Sequence, residues 1–142
     1  MAELPPLETI VCEVIRTFEI QAPPVPVESM LQHPLPGMWS EVDIGKLSIG
    51  FLKVKSPYSP RMSLTRLLAR HIIESDWGHA RQLHVLATTD ADIHACARML
   101  VMPYTMISAL SPATRTASAI SSHFEVPVED AELRLTELAD YL

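Results

Sequence analysis

The stretch EVDIGKLSIGFLKV, Glu41–Val54, decides how the fold of this chain is read. Val42, Ile44, Leu47, Ile49, Phe51 and Val54 are β-prone residues arranged around Gly45 and Gly50. With Trp39 just ahead of it, the segment predicts a hairpin or a small antiparallel sheet. The text on either side is different. Nine of the twelve prolines lie in the first sixty residues, so the N-terminal part is segmented and the C-terminal part is free to be helical.

Upstream, Pro5 and Pro6 precede the apolar set Leu7, Ile10, Val11, Val14, Ile15 and Phe18, spaced for a helix of about three turns. APPVPVESMLQH then runs extended into a short helix around Pro26 to Gln32, closed by Pro34, Pro36 and Gly37. Downstream, SPYSP is a loop, and the spacing predicts helices near residues 62–75, 79–86, 90–101, 103–110, 113–124 and 127–140. A sheet among helices makes the expected class α+β. The length of 142 residues, with no internal repeat and no evident linker, predicts one domain over 1–142.

Composition excludes several functions. Cys12 and Cys96 are far apart and outside any CxxC spacing, so neither a zinc knuckle nor a disulfide framework is expected, and a reduced cytoplasm fits. MAELPPLETIVCEV carries acid where a secretory signal carries base. No run approaches the roughly 20 apolar residues of a membrane span. A net charge of −6 opposes attraction to phosphate backbones. The segment from Thr116 to Leu138 has the rhythm of a helix-turn-helix, but its second helix would present Glu129, Asp130 and Glu132 to DNA, so direct nucleic-acid binding is not expected. The tail from Glu125 onward carries six acids against Arg134 alone and reads as a solvated face.

The segment RMSLTRLLARHIIE, Arg61–Glu74, reads as an amphipathic helix with Leu64, Leu67, Leu68, His71 and Ile72 on one face and Arg66 and Arg70 roughly opposite. Arg70 is spaced to meet Glu74 one turn on. In TTDADIHACARMLVMP, Thr88 or Thr89 can cap a helix whose first turn holds Asp90 and Asp92.

That second segment resembles the helix of the ImmA/IrrE metallopeptidase family, whose text runs close to ExEANxFAxxLLMP. Asp90 and Asp92 stand at its two glutamates, His94 at its Asn, and Leu100, Val101, Met102 and Pro103 reproduce its ending. PPVPVESML resembles the family's PVDVE segment, and AISSHFEVPVEDAELRLTEL its closing pattern with an Arg-Leu pair. The family's zinc motif lies in a line similar to RFTLAHELGHLLLH. Laid over RMSLTRLLARHIIE, it puts Arg66 and Arg70 at the two histidines, Leu67 at the glutamate and Ala69 at the glycine.

HExxH presents two imidazoles at i and i+4 to one zinc, with the glutamate activating the metal's water. A guanidinium has no lone pair to offer and repels a cation, and Leu67 accepts no proton. The resemblance therefore implies a minimal zincin-like metallopeptidase domain whose zinc and catalytic residues are lost. Its degenerate cleft would be formed by Arg66, Leu67, Arg70, Asp90, Asp92 and His94, with a bidentate pairing of arginine to Asp90 or Asp92 where the metal stood. Active relatives cleave a repressor carrying a helix-turn-helix. A silent copy is accordingly expected to act as a regulatory module in transcription by holding such a repressor or another protein partner.

Two other readings stand beside it. One is a metal-dependent peptidase or hydrolase with a displaced site built from His71, Glu74, His79 and Asp92. The other is a structural or assembly module using apolar surface around Met38, Trp39 and Met62. Nucleophilic catalysis has no GxSxG elbow to support Ser121 or Ser122 beside His123, and no Gly-rich phosphate loop is present. His33 and His123 read as structural.

Overall fold

A computed structural model describes residues 3–44 and 58–142 of the chain. Among the described residues all regular structure is helical: α1 Pro6–Thr17, α2 Val27–Gln32, α3 Ser59–Glu74, α4 Asp76–Ala80, α5 Leu83–Leu86, α6 Asp90–Val101, α7 Tyr104–Ser108, a 3-10 turn at Pro112–Thr114, α8 Ala117–Phe124 and α9 Val128–Leu138. The expected α+β class, and with it the zincin-like fold, is corrected by this finding. No strand occurs among the described residues, and Trp39–Asp43 runs without regular structure. The proposed hairpin at 39–54 lies for the most part outside the described residues.

A β-prone pattern reports a half-buried segment without saying what covers it. Trp39 is buried, its indole Nε1 donating to the Leu31 carbonyl at 3.3 Å, and its ring stacks on Phe18 with centroids 6.0 Å apart. At Trp39, therefore, α2 and the end of α1 supply the cover. The same contacts remove the surface offered for an assembly module. Trp39 and Met62 belong to the core and Met38 packs on it.

Helix α1 starts with Pro6 in its first turn, where a missing N–H costs nothing, and buries Val11, Val14 and Ile15. Each such side chain contributes about 1.5–3 kcal/mol by leaving water. Helices α3 and α6 are the most extensively packed pair, and α1 lies against α6 while α8 and α9 pair with each other. Arg61, at the start of α3, donates through Nε to the Glu125 carbonyl at 3.1 Å. Glu125 is left-handed (φ 58°), so this bond helps to hold the turn between α8 and α9.

The helix expected over 79–86 is split in two. Gln82 takes φ 64°, ending α4 and restarting the chain as α5. Gly78 does not interrupt a helix but lies inside α4, because its backbone passes the end of α3 too closely for any side chain. No helix of the described residues is long and apolar enough to cross a membrane.

Candidate functional site

Helix α3 buries Met62, Leu64, Thr65, Leu68, Ala69, Ile72 and Ile73, which is about half of a wheel turning by about 100° per residue. Arg66, Arg70, Leu67 and His71 occupy the remaining arc. Arg66 falls at the margin of the buried half, next to Ile73 and Met62. It is half-buried, and its Nε is shielded from solvent. Helix α6 has the same design: Cys96, Ala97, Met99, Leu100 and Val101 are buried, and Asp90, His94 and Arg98 follow one another along the margin at i, i+4 and i+8.

The two margins face each other across the α3–α6 seam. Arg70 Nη2 lies 3.7 Å from Asp90 Oδ1, in a loose contact with both side chains largely in water. One turn along, the charge of Arg66 acts on His94. The imidazole is pushed below its ordinary value, first by partial burial and then by the charges of Arg66, Arg98 and Arg70, while Asp90 opposes them.

Helix α9 closes the far end of the seam. Arg98 binds Glu137 through both oxygens, at 3.1 Å from Nε and 2.8 Å from Nη2. Asp130 is half-buried, and burial pushes its carboxyl up while Arg66 and Arg98 pull it down.

Asp92 is not part of this arrangement. Its Oδ2 accepts from the backbone N–H of Thr88 at 3.0 Å and of Thr89 at 3.1 Å, while Thr89 Oγ1 accepts from Asp92 N at 3.1 Å. This is a capping box, and the backbone donors hold the Asp92 carboxyl below its ordinary value. With Oδ2 committed to its own helix terminus, Asp92 forms no ion pair with Arg66 or Arg70. Among the resemblance-derived residues, then, Arg66, Arg70, Asp90 and His94 are gathered. Asp92 is turned away, and Leu67 packs against the core beside the cluster.

The seam does not fit the zinc ion that the resemblance implies. At the i and i+4 positions stand two cations without lone pairs, and the carboxylate opposite them is Asp90 rather than Asp92. The displaced site is not assembled either. His71 lies against Trp39 with ring centroids 6.4 Å apart, and His79 stacks on His84 at 4.1 Å. Among the described residues no three His, Cys, Asp or Glu side chains are grouped to hold a metal. Ser121 donates its hydroxyl to the Val126 carbonyl at 2.6 Å and so serves the α8–α9 turn.

Sequence reasoning missed Arg98, Asp130 and Glu137 as members of the cluster. Arg98 could have been found from its spacing to Asp90 and His94 along α6. The α9 acids carried no such signal, because only packing brings that helix to the seam. The chain matches no known protein family, no curated protein and no solved structure.

Proposed function

We propose that this chain is a non-catalytic relative of the ImmA/IrrE peptidases that works by binding a protein partner, of which a repressor carrying a helix-turn-helix is the type. One observation carries the reading. The two α3 positions that correspond to zinc-binding imidazoles hold Arg66 and Arg70, set across from Asp90 and His94. Such a seam offers fixed charge and hydrogen-bond donors but neither a Lewis acid nor a general base in place of Leu67. It is suited to holding a partner group and unsuited to hydrolysing a peptide bond.

The test is metal content together with a reversal. Protein purified without chelator should carry no stoichiometric zinc and should leave a helix-turn-helix repressor uncut. The triple variant Arg66→His, Leu67→Glu, Arg70→His should take up one zinc per chain, and Asp90→Ala added to it should weaken that uptake. One tightly held zinc in the unaltered chain, or cleavage by it, overturns the proposal. A folded triple variant that takes no zinc removes the support of the resemblance.

A further inference from the structure

Helix α1 ends in a turn that builds one wall of a cavity. Ile20 N–H donates to the Ile15 carbonyl at 3.1 Å and Glu19 N–H to that of Arg16 at 3.0 Å, with Glu19 left-handed at φ 57°. This pair of bonds reverses the chain and sets Ile20 beside Ile15. Across from them stands Thr105 of α7, and the space between, with Cys12 and Gln21 also on its wall, measures about 530 Å³. A second cavity of about 290 Å³ shares Ile20, Gln21 and Thr105 with the first and continues over Met106, Leu110 and Phe124. Volumes of this order are those of small-molecule sites, in which apolar walls carry a few placed polar groups.

The rim supplies the charges. Arg16 and Glu19 are exposed and line the first cavity, and neither makes a side-chain hydrogen bond or ion pair with the other or with any described residue. The acids nearby are occupied: Glu13 binds Arg81 at 2.7 and 3.0 Å, and Glu8 is closed on Arg134. The cavity of about 460 Å³ beside α2 differs, because its cation, Arg61, is already held by the Phe124 and Glu125 carbonyls. One unpaired cation and one unpaired anion, on the rim of a cavity floored by Ile15 and Ile20, are complementary to a ligand with one charge of each sign and an apolar body.

We propose that this cavity binds a free α-amino acid with a large apolar side chain. Its carboxylate lies on the Arg16 guanidinium, whose planar fork offers two parallel N–H bonds, and its ammonium on the Glu19 carboxylate. Its side chain runs past Ile20 toward Met106 and Leu110. The cavity lies outside the α3–α6 seam, so the inference does not depend on the repressor-binding reading.

The experiment titrates leucine, methionine and phenylalanine separately into the full chain and follows the backbone amides of Ile20, Gln21 and Thr105 by NMR. A saturable shift is expected with at least one of them. The desamino acid and the decarboxylated amine of whichever amino acid binds should each bind about tenfold more weakly, the loss of one charge-assisted contact. Arg16→Gln and Glu19→Gln should each weaken binding to a similar extent, whereas Glu132→Gln, an exposed acid on α9, should leave it unchanged. Glu19→Gly, which suits the left-handed position, should lose binding without lowering the melting temperature, so a lost shift is not a lost fold.

No saturable shift with any of the three amino acids overturns the site. So does binding of the desamino acid or the amine as tight as that of the parent amino acid, and so does affinity unchanged in either Arg16→Gln or Glu19→Gln.

Discussion

Glu8 on α1 holds Arg134 on α9 through both carboxylate oxygens in a site closed to solvent, 126 residues apart in the chain. Arg134 Nη2 lies 2.7 Å from Glu8 Oε1, and Arg134 Nε donates to the Met102 carbonyl at 2.9 Å. The first helix, the end of α6 and the last helix are thereby joined at one point. Removing one partner leaves an uncompensated buried charge, which costs about 3–5 kcal/mol. Urea unfolding should show a loss of that size for Arg134→Ala and for Glu8→Ala. The double change Glu8→Leu, Arg134→Met should recover most of it. An Arg134→Ala protein as stable as the parent would show that the pair is not intact in solution.

Asp92 caps and Asp90 pairs weakly, so the two acids should respond differently to mutation. Thr89→Ala should cost about 1 kcal/mol by freeing a helix N–H. Asp92→Ala should lower the melting temperature in the same direction. Arg70→Ala should change stability by less than about 0.5 kcal/mol, because the Arg70–Asp90 contact is long and wet. If Arg70→Ala and Asp92→Ala proved equally damaging and non-additive, Asp92 rather than Asp90 would be the partner.

Acid should act through the same groups. Hydrogen bonds from Arg81 hold the Glu13 carboxyl below its ordinary 4.5, and those from Thr88 and Thr89 hold Asp92 below 3.8. A depressed folded value means stability that is present above the ordinary value and lost as pH falls through the folded one. Melting temperature should therefore drop as pH is lowered below these values, and less steeply in Asp92→Asn. Asp130 has the opposite sign. Its raised value favours the fold while the carboxyl is protonated, a contribution lost as pH rises through the folded value. Asp130→Asn should gain stability relative to the parent at neutral pH but not in acid.

Gly78 is required for its lack of a side chain. A Cβ there would stand 2.1 Å from the Ile72 carbonyl oxygen and 2.9 Å from that of Ile73, both rigid backbone atoms. Although alanine is the better helix former, Gly78→Ala should destabilise by about 1–3 kcal/mol, read from a thermal or urea midpoint. A neutral result would mean that the α3–α4 junction is looser than these distances describe.

The two thiols should differ in reactivity. Full burial pushes the Cys96 thiol up to about 12, whereas Cys12 is half-buried beside the cavity of about 530 Å³ between α1 and Thr105. Iodoacetamide on the native protein should label Cys12 first, and Cys96 only on unfolding, as peptide mass mapping would read.

The periodicity of a segment gave its helices because 3.6-residue spacing is local. Asp90–Val101 came out with the boundaries expected of it, and of the two candidate caps, Thr88 and Thr89, it is Thr89 that caps it. Which acid faces Arg70 was not legible, since Asp90 and Asp92 are two residues apart and only the packing of α3 on α6 separates them. Nor was the fate of Arg134, which reads as a lone cation in an acidic tail. In the fold it takes the core position between Ala131 and Leu138. Trp39, offered as surface for an assembly module, is buried instead, and the neighbours that bury it are helices.

By itself, then, the sequence determined most of the helical segments and the placing of Arg66 and Arg70 one turn apart on one of them, because both depend on residue chemistry and short-range spacing. Tertiary structure alone decided which charges meet. The partners of Arg70, Arg98 and Arg134 come from other helices, and electrostatic energy depends on distance through space and on exclusion of water rather than on order along the chain.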